Sequence, residues 1–203
     1  MDKQEYLNQI SASVRPTKPE KKGILSSTAV KVAIGGVIAL VVIMIFGSLL
    51  GGGKVSAKDE LLNMNGYIES TMSAISTYQP SLKSSELRSH SASLYSILSN
   101  TNKNVTDYLT ANYGRDAAPT ETMEADEKLH ADGLTADLFQ AKINGILDRM
   151  YAHKMAYEIQ MIMTKEAAVY DRLDDTELKS TLDSSYSSLE NLYGKFNEFS
   201  ETK

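Results

Sequence analysis

Residues 174–200 read DDTELKSTLDSSYSSLENLYGKFNEFS. Leu178, Leu182, Tyr186, Leu189, Leu192, Phe196 and Phe199 recur at spacings of three and four. That spacing places them on one face of a helix of period 3.6, whereas a half-buried strand would alternate every second residue. It predicts a helix near 175–200. Asp174 and Glu177 stand three apart at its start like a capping box, with aspartate in place of the usual serine or threonine.

The same period continues toward the N-terminus. Phe139, Ile143, Ile146, Leu147, Met150, Ile159, Ile162 and Val169 predict one long helix near 136–171, with an apolar face broad enough for two neighbours. Gly133 is expected to separate it from a short acidic helix at 121–131. Leu87, Leu94, Leu98, Val105 and Tyr108 or Leu109 predict a helix near 82–113 that Gly114 stops, with a break allowed in the polar stretch 99–104. Leu61, Met64, Ile68, Met72, Ile75 and Tyr78 predict a helix near 56–79 that ends at Pro80. Strand signals are missing. Four amphipathic helices with mostly short links predict an up-down-up-down bundle over 56–203.

Before the bundle stands VAIGGVIALVVIMIFGSLL, residues 32–50, without one charge. As a helix it would span about 28 Å, close to the hydrocarbon core of a bilayer. The 31 preceding residues hold six basic and three acidic residues, which leaves 15 basic and 23 acidic of the chain's 21 and 26 for residues 54–203. The basic excess is expected to stay in the cytoplasm. The predicted architecture is all-α: a single N-terminal transmembrane helix followed by an extracytoplasmic antiparallel four-helix bundle. Its parts are a cytoplasmic basic tail at 1–31, the span at 32–50, a glycine-rich joint at 51–55, and the bundle. The expected location is the plasma membrane, with the bilayer as one partner. A cleaved signal peptide is the rival reading, since Val55-Ser56-Ala57 looks like a cleavage site. The apolar run exceeds the ~7–15 residues usual for such signals, which favours an uncleaved anchor.

Gly35, Ala39, Gly47 and Gly51 share one ridge of the predicted span, where two helices of a homodimer would approach closely. Small residues are also simply common in membrane helices. In the tail, Tyr6, Leu7, Ile10 and Val14 form a weak stripe, readable as a docking peptide or as a lipid-touching segment. The two prolines at 16 and 19 make an extended linker behind it.

The net charge of -5 rests on an acidic outer domain, which argues against nucleic acid as a partner. The chain has no cysteine, so it has no disulfide, thiolate metal site or thiol nucleophile. No GxGxxG, Walker loop, GxSxG or HExxH is present. No catalytic residue and no cofactor are predicted. The Asn104-Val105-Thr106 sequon carries weight only in a eukaryotic secretory route. Three histidines remain. Glu127 and His130 form an ExxH, the i, i+3 pair with which bundles hold carboxylate-bridged metals, but such a site needs two pairs and two further glutamates. Glu86 and His90 are four apart, and His153 has Asp148 and Glu158 five residues to either side. Solvated or singly bonded histidines are the plainer reading, and no metal is expected.

His90, Phe139, His153 and Asp175-Thr176-Glu177-Leu178-Lys179 give residues 81–193 a resemblance to the ferritin-like four-helix domain of bacterial periplasmic and outer-surface proteins. That family often carries Asp-His where this chain has Ser89-His90 and Ala152-His153, and a last-helix histidine that this chain lacks. The resemblance implies a helical bundle outside the cytoplasmic membrane more than it implies metal chemistry. The tail and anchor, with Tyr6-Leu7-Asn8-Gln9-Ile10, are also similar to those of small envelope proteins of reduced-genome bacteria. The expected function is a non-enzymatic module that binds a protein or small ligand at the cell envelope. A ferritin-like metal-binding or stress-related domain, and a single-span sensor, are the alternatives.

Overall fold

The computed structural model describes residues 56–202, which fall within one compact unit, Gly53–Lys203. Among them there are five α-helices and no strand: α1 Ala57–Tyr78, α2 Ser85–Tyr113, α3 Glu121–Ile143, α4 Leu147–Tyr170 and α5 Thr176–Thr202. The expected tail, membrane span, joint and small-residue ridge (Gly35, Ala39, Gly47, Gly51) lie outside the described residues. No helix among the described residues is long and apolar enough to cross a membrane.

Four of the five helices begin on a short polar side chain that accepts a hydrogen bond from a backbone N–H three residues on. Ser56 accepts from Asp59, Ser84 from Leu87 and Thr120 from Met123. The α5 cap is Asp175, which accepts from Leu178 at 2.7 Å, and not Asp174 as the capping-box spacing implied. Each cap satisfies an amide that the first turn leaves without a partner. The polar stretch 99–104 does not break α2, and Gly114 ends it at φ 56°.

The middle of the chain departs from expectation. Gly133 does not end a helix: α3 runs through it, with open space where a Cβ would stand. The break falls at Asn144-Gly145-Ile146, inside the single helix expected at 136–171. Gly145 takes φ +73°, its N–H donates to Lys142 O at 3.2 Å, and Ile146 N–H donates to Ala141 O at 3.0 Å. This is the Schellman closure, which needs a residue that tolerates the left-handed region. The predicted stripe shifts with it. Leu134, Leu138 and Ala141 form the buried face of α3, while Phe139, Ile143 and Ile146 stand about half exposed or more.

Cross-helix contacts give the topology. Glu69 on α1 meets Asn102 on α2, and Asn65 meets Thr106, so these helices run antiparallel. Thr101 on α2 meets Ser185 on α5, and Tyr170 on α4 meets Asp183 on α5. Glu60 on α1 pairs with Arg172, just beyond α4, at 3.0 Å. α1, α2, α5 and α4 thus make a ring of antiparallel neighbours around Leu61, Met64, Ile68, Leu94, Leu98, Met155, Ile159, Leu189 and Phe196. α3 is a fifth helix, packed on α1 and α4. It runs parallel to α1, since Glu127 meets Ser70 and Thr135 meets Tyr78.

Candidate functional site

Gly66 sits in the interior of α1, where glycine costs about 1 kcal/mol relative to alanine. Its neighbour explains it. A Cβ at Gly66 would stand 2.5 Å from Glu127 Oε2. The missing side chain lets the Glu127 carboxylate lie against α1, where its Oε1 accepts from the Ser70 hydroxyl at 3.4 Å. Burial, then the Glu127 charge, pushes the nearby Glu69 carboxyl above its ordinary range.

One turn on, His130 stacks on Tyr67 with ring centroids 4.0 Å apart and planes 20° from parallel. His130 Nε2 lies 2.9 Å from Glu158 Oε2, and Glu158 is only 3% exposed. His130 Nδ1 is buried without a hydrogen-bond partner. Burial, followed by the charge and the hydrogen bond of Glu158, pushes the Tyr67 phenol far above its ordinary range. Lys165 Nζ stands 5.0 Å from the Tyr67 ring centroid and donates to Asn63 Oδ1 at 2.9 Å. Burial lowers the pKa of Lys165, with the charge of Glu60 opposing. The cluster therefore ties α1, α3 and α4 together through a buried carboxylate, an imidazole and a phenol, each dependent on the others for its polar contacts.

Above the cluster a crevice of about 290 Å³ opens between α1 and α3. Leu62 and Met123 supply apolar wall, and Asp126, Glu127 and Lys165 supply charge of both signs. The Tyr67 phenol keeps its proton, and the remaining imidazole nitrogen faces protein rather than the opening.

Glu127 and His130 share this site, and His130 lies inside the packed structure. The pair lies on α3, outside the four-helix ring, and ending that helix at Gly133 hid how it packs on α1 and α4. The other candidates lie elsewhere. Glu86 and His90 are 3.7 Å apart on α2, and His90 meets the edge of Phe196. His153 is exposed on α4 and makes no hydrogen bond, ion pair or ring contact with His90. Among the described residues no group of three or more His, Cys, Asp or Glu side chains could hold a metal ion. Protein purified without chelator or histidine tag is expected to carry no stoichiometric iron, manganese or zinc by elemental analysis. About one metal per chain, lost on His130→Ala or on His90→Ala with His153→Ala, would reverse that expectation.

Sequence reading missed Tyr67 and Lys165, and weighed Glu158 only beside His153. A signal existed for Glu158: Tyr151, Met155, Glu158, Ile162, Glu166 and Val169 step by three and four along α4, and all six are buried. Two glutamates in such a stripe mark buried carboxylates that need partners. Comparison with family models, with curated proteins and with solved structures returns no match.

Proposed function

We propose that this chain is a single-pass membrane protein whose extracytoplasmic helical bundle is a non-enzymatic binding module at the cell envelope. The observation that carries the binding reading is the α1–α3 crevice, with apolar wall at Leu62 and Met123 and acidic residues Asp126 and Glu127 at its edge. This surface suits a protein segment with an apolar anchor and a basic flank, the more so on a domain with net charge -8 over residues 54–203. The membrane reading rests on the uncharged run at 32–50 and the basic residues before it.

Two measurements on the intact chain test this reading. The protein is expected to stay with membranes through an alkaline carbonate wash, and protease added to intact spheroplasts is expected to remove residues beyond Lys54. Removal of the N-terminal tail instead would invert the topology. A pull-down from those membranes is expected to recover a partner with the parent chain and lose it with Asp126→Arg, which reverses the charge at the crevice edge. A partner that binds both equally would place the interface elsewhere, and one held through residues 1–31 would favour the sensor reading.

A further inference from the structure

A second cavity, of about 250 Å³, opens between α4 and α5. Its buried wall is Glu166, which is 1% exposed. Neither Glu166 oxygen makes a hydrogen bond of ordinary geometry, although the Ser185 hydroxyl lies near enough to act on it. Ser185 accepts from Thr101 at 2.9 Å, so its own proton remains available to one Glu166 oxygen and the other faces no donor. A carboxyl group buried with so few donors is costly to ionise, and a cationic ligand in the cavity would offset that cost. The remaining walls are Leu182 and the rings of Tyr170 and Tyr186, with Asp171 and Asp183 at the exposed edge.

We propose that this cavity binds a small organic ammonium ion, with Glu166 as its counter-charge and Leu182, Tyr170 and Tyr186 against its alkyl part. The lining selects that class. Three carboxyl groups disfavour an anion. A metal ion needs several converging ligands, and the described residues offer no such group. Tyrosine faces attract alkylammonium groups, and Tyr170 already holds one: Lys179 Nζ stands 4.9 Å from its centroid.

Binding is coupled to a proton. Burial pushes Glu166 up to about 8, with Ser185 opposing in part. The empty site is therefore mostly protonated at neutral pH, and an ammonium ion binds the ionised form. The other groups around it are Tyr170 on α4, Asp171 just beyond it, Asp183 and Tyr186 on α5, and the Lys179 ammonium on the Tyr170 ring. α2 presents the neutral Thr101, and Glu60 of α1, at the same end of the bundle, is paired with Arg172. α3 packs on α1 and α4 at the first crevice.

The test is calorimetric titration of n-butylammonium into the full-length chain in detergent micelles. Ionic strength is held with sodium chloride, and 1-butanol is the neutral control. Saturable binding is expected, tightening about tenfold per pH unit from 6 to 8 as the ionised fraction of Glu166 grows. Glu166→Gln is expected to weaken it at least tenfold and to remove the pH dependence. Tyr186→Ala, at a partly exposed wall, is expected to weaken it severalfold without altering the melt, which keeps the test valid if the glutamine variant folds poorly. Absence of saturation, equal affinity in Glu166→Gln and Tyr186→Ala, a flat pH profile or equal binding of 1-butanol would each overturn the proposal. None of these results bears on the α1–α3 crevice.

Discussion

Leu189→Asp is expected to abolish the cooperative thermal unfolding of the helical domain. Leu189 is fully buried on α5, in the core that α5 shares with α2 and α4. Aspartate there loses the leucine's packing and leaves an unpaired carboxylate with no water. Together these cost more than about 4 kcal/mol, a large part of the ~5–15 kcal/mol that holds a domain folded. Tyr186→Asp supplies the control. It lies one turn earlier on the same predicted stripe, yet Tyr186 is 38% exposed. Its cost should stay within about 1 kcal/mol. Circular dichroism melts of residues 53–203 distinguish the two, and matching curves would place Leu189 outside the core.

The second large effect is a loss of stability with rising pH that traces mainly to Glu166, with Glu69 adding in the same direction. Solvated glutamate titrates near 4.5, whereas burial holds Glu166 protonated up to about 8. Between those values the folded chain binds more protons than the unfolded chain, so stability falls as pH rises. The contribution is fully present below about pH 4.5, is lost progressively up to about pH 8, and is flat above. At about 1.4 kcal/mol per pKa unit, the loss is on the order of 5 kcal/mol. Glu166→Gln keeps the shape and removes the titration. Urea unfolding at pH 5 and pH 9 should therefore show a large drop for the parent and a much smaller one for the variant. Parallel drops in the two proteins would assign the pH dependence to other groups.

The two buried glutamates show where reading the chain stops short. Glu158 and Glu166 occupy apolar-stripe positions on α4, so their burial follows from spacing. Their different environments do not. Glu158 meets His130 from α3 and the Tyr67 phenol from α1. Glu166 has only the Ser185 hydroxyl nearby and a cavity in front of it. Which partners arrive depends on how neighbouring helices are placed along their axes, and no local pattern carries that information.

Helix identity and helix ends were largely local matters. The spacings of four and seven among Leu87, Leu94 and Leu98, and among Leu178, Leu182 and Leu189, place those residues in the core. Ser84, Pro80 and Gly114 bound helices because caps, missing amide hydrogens and positive φ act within one turn. The uncharged run at 32–50 is likewise a local signal, and it lies outside the described residues. The division of the middle of the chain was not settled locally, since Gly133 and Gly145 are both glycines after helical stretches. Gly133 continues a helix at modest cost because α3 gains burial of Leu134, Leu138 and Ala141 against α1 and α4. Gly145 turns because the chain must reverse there to bring α4 back beside α3. That choice rotates Phe139 and Ile143 outward and His130 inward. A helix has one apolar face, and which residues fill it depends on the neighbours that cover it.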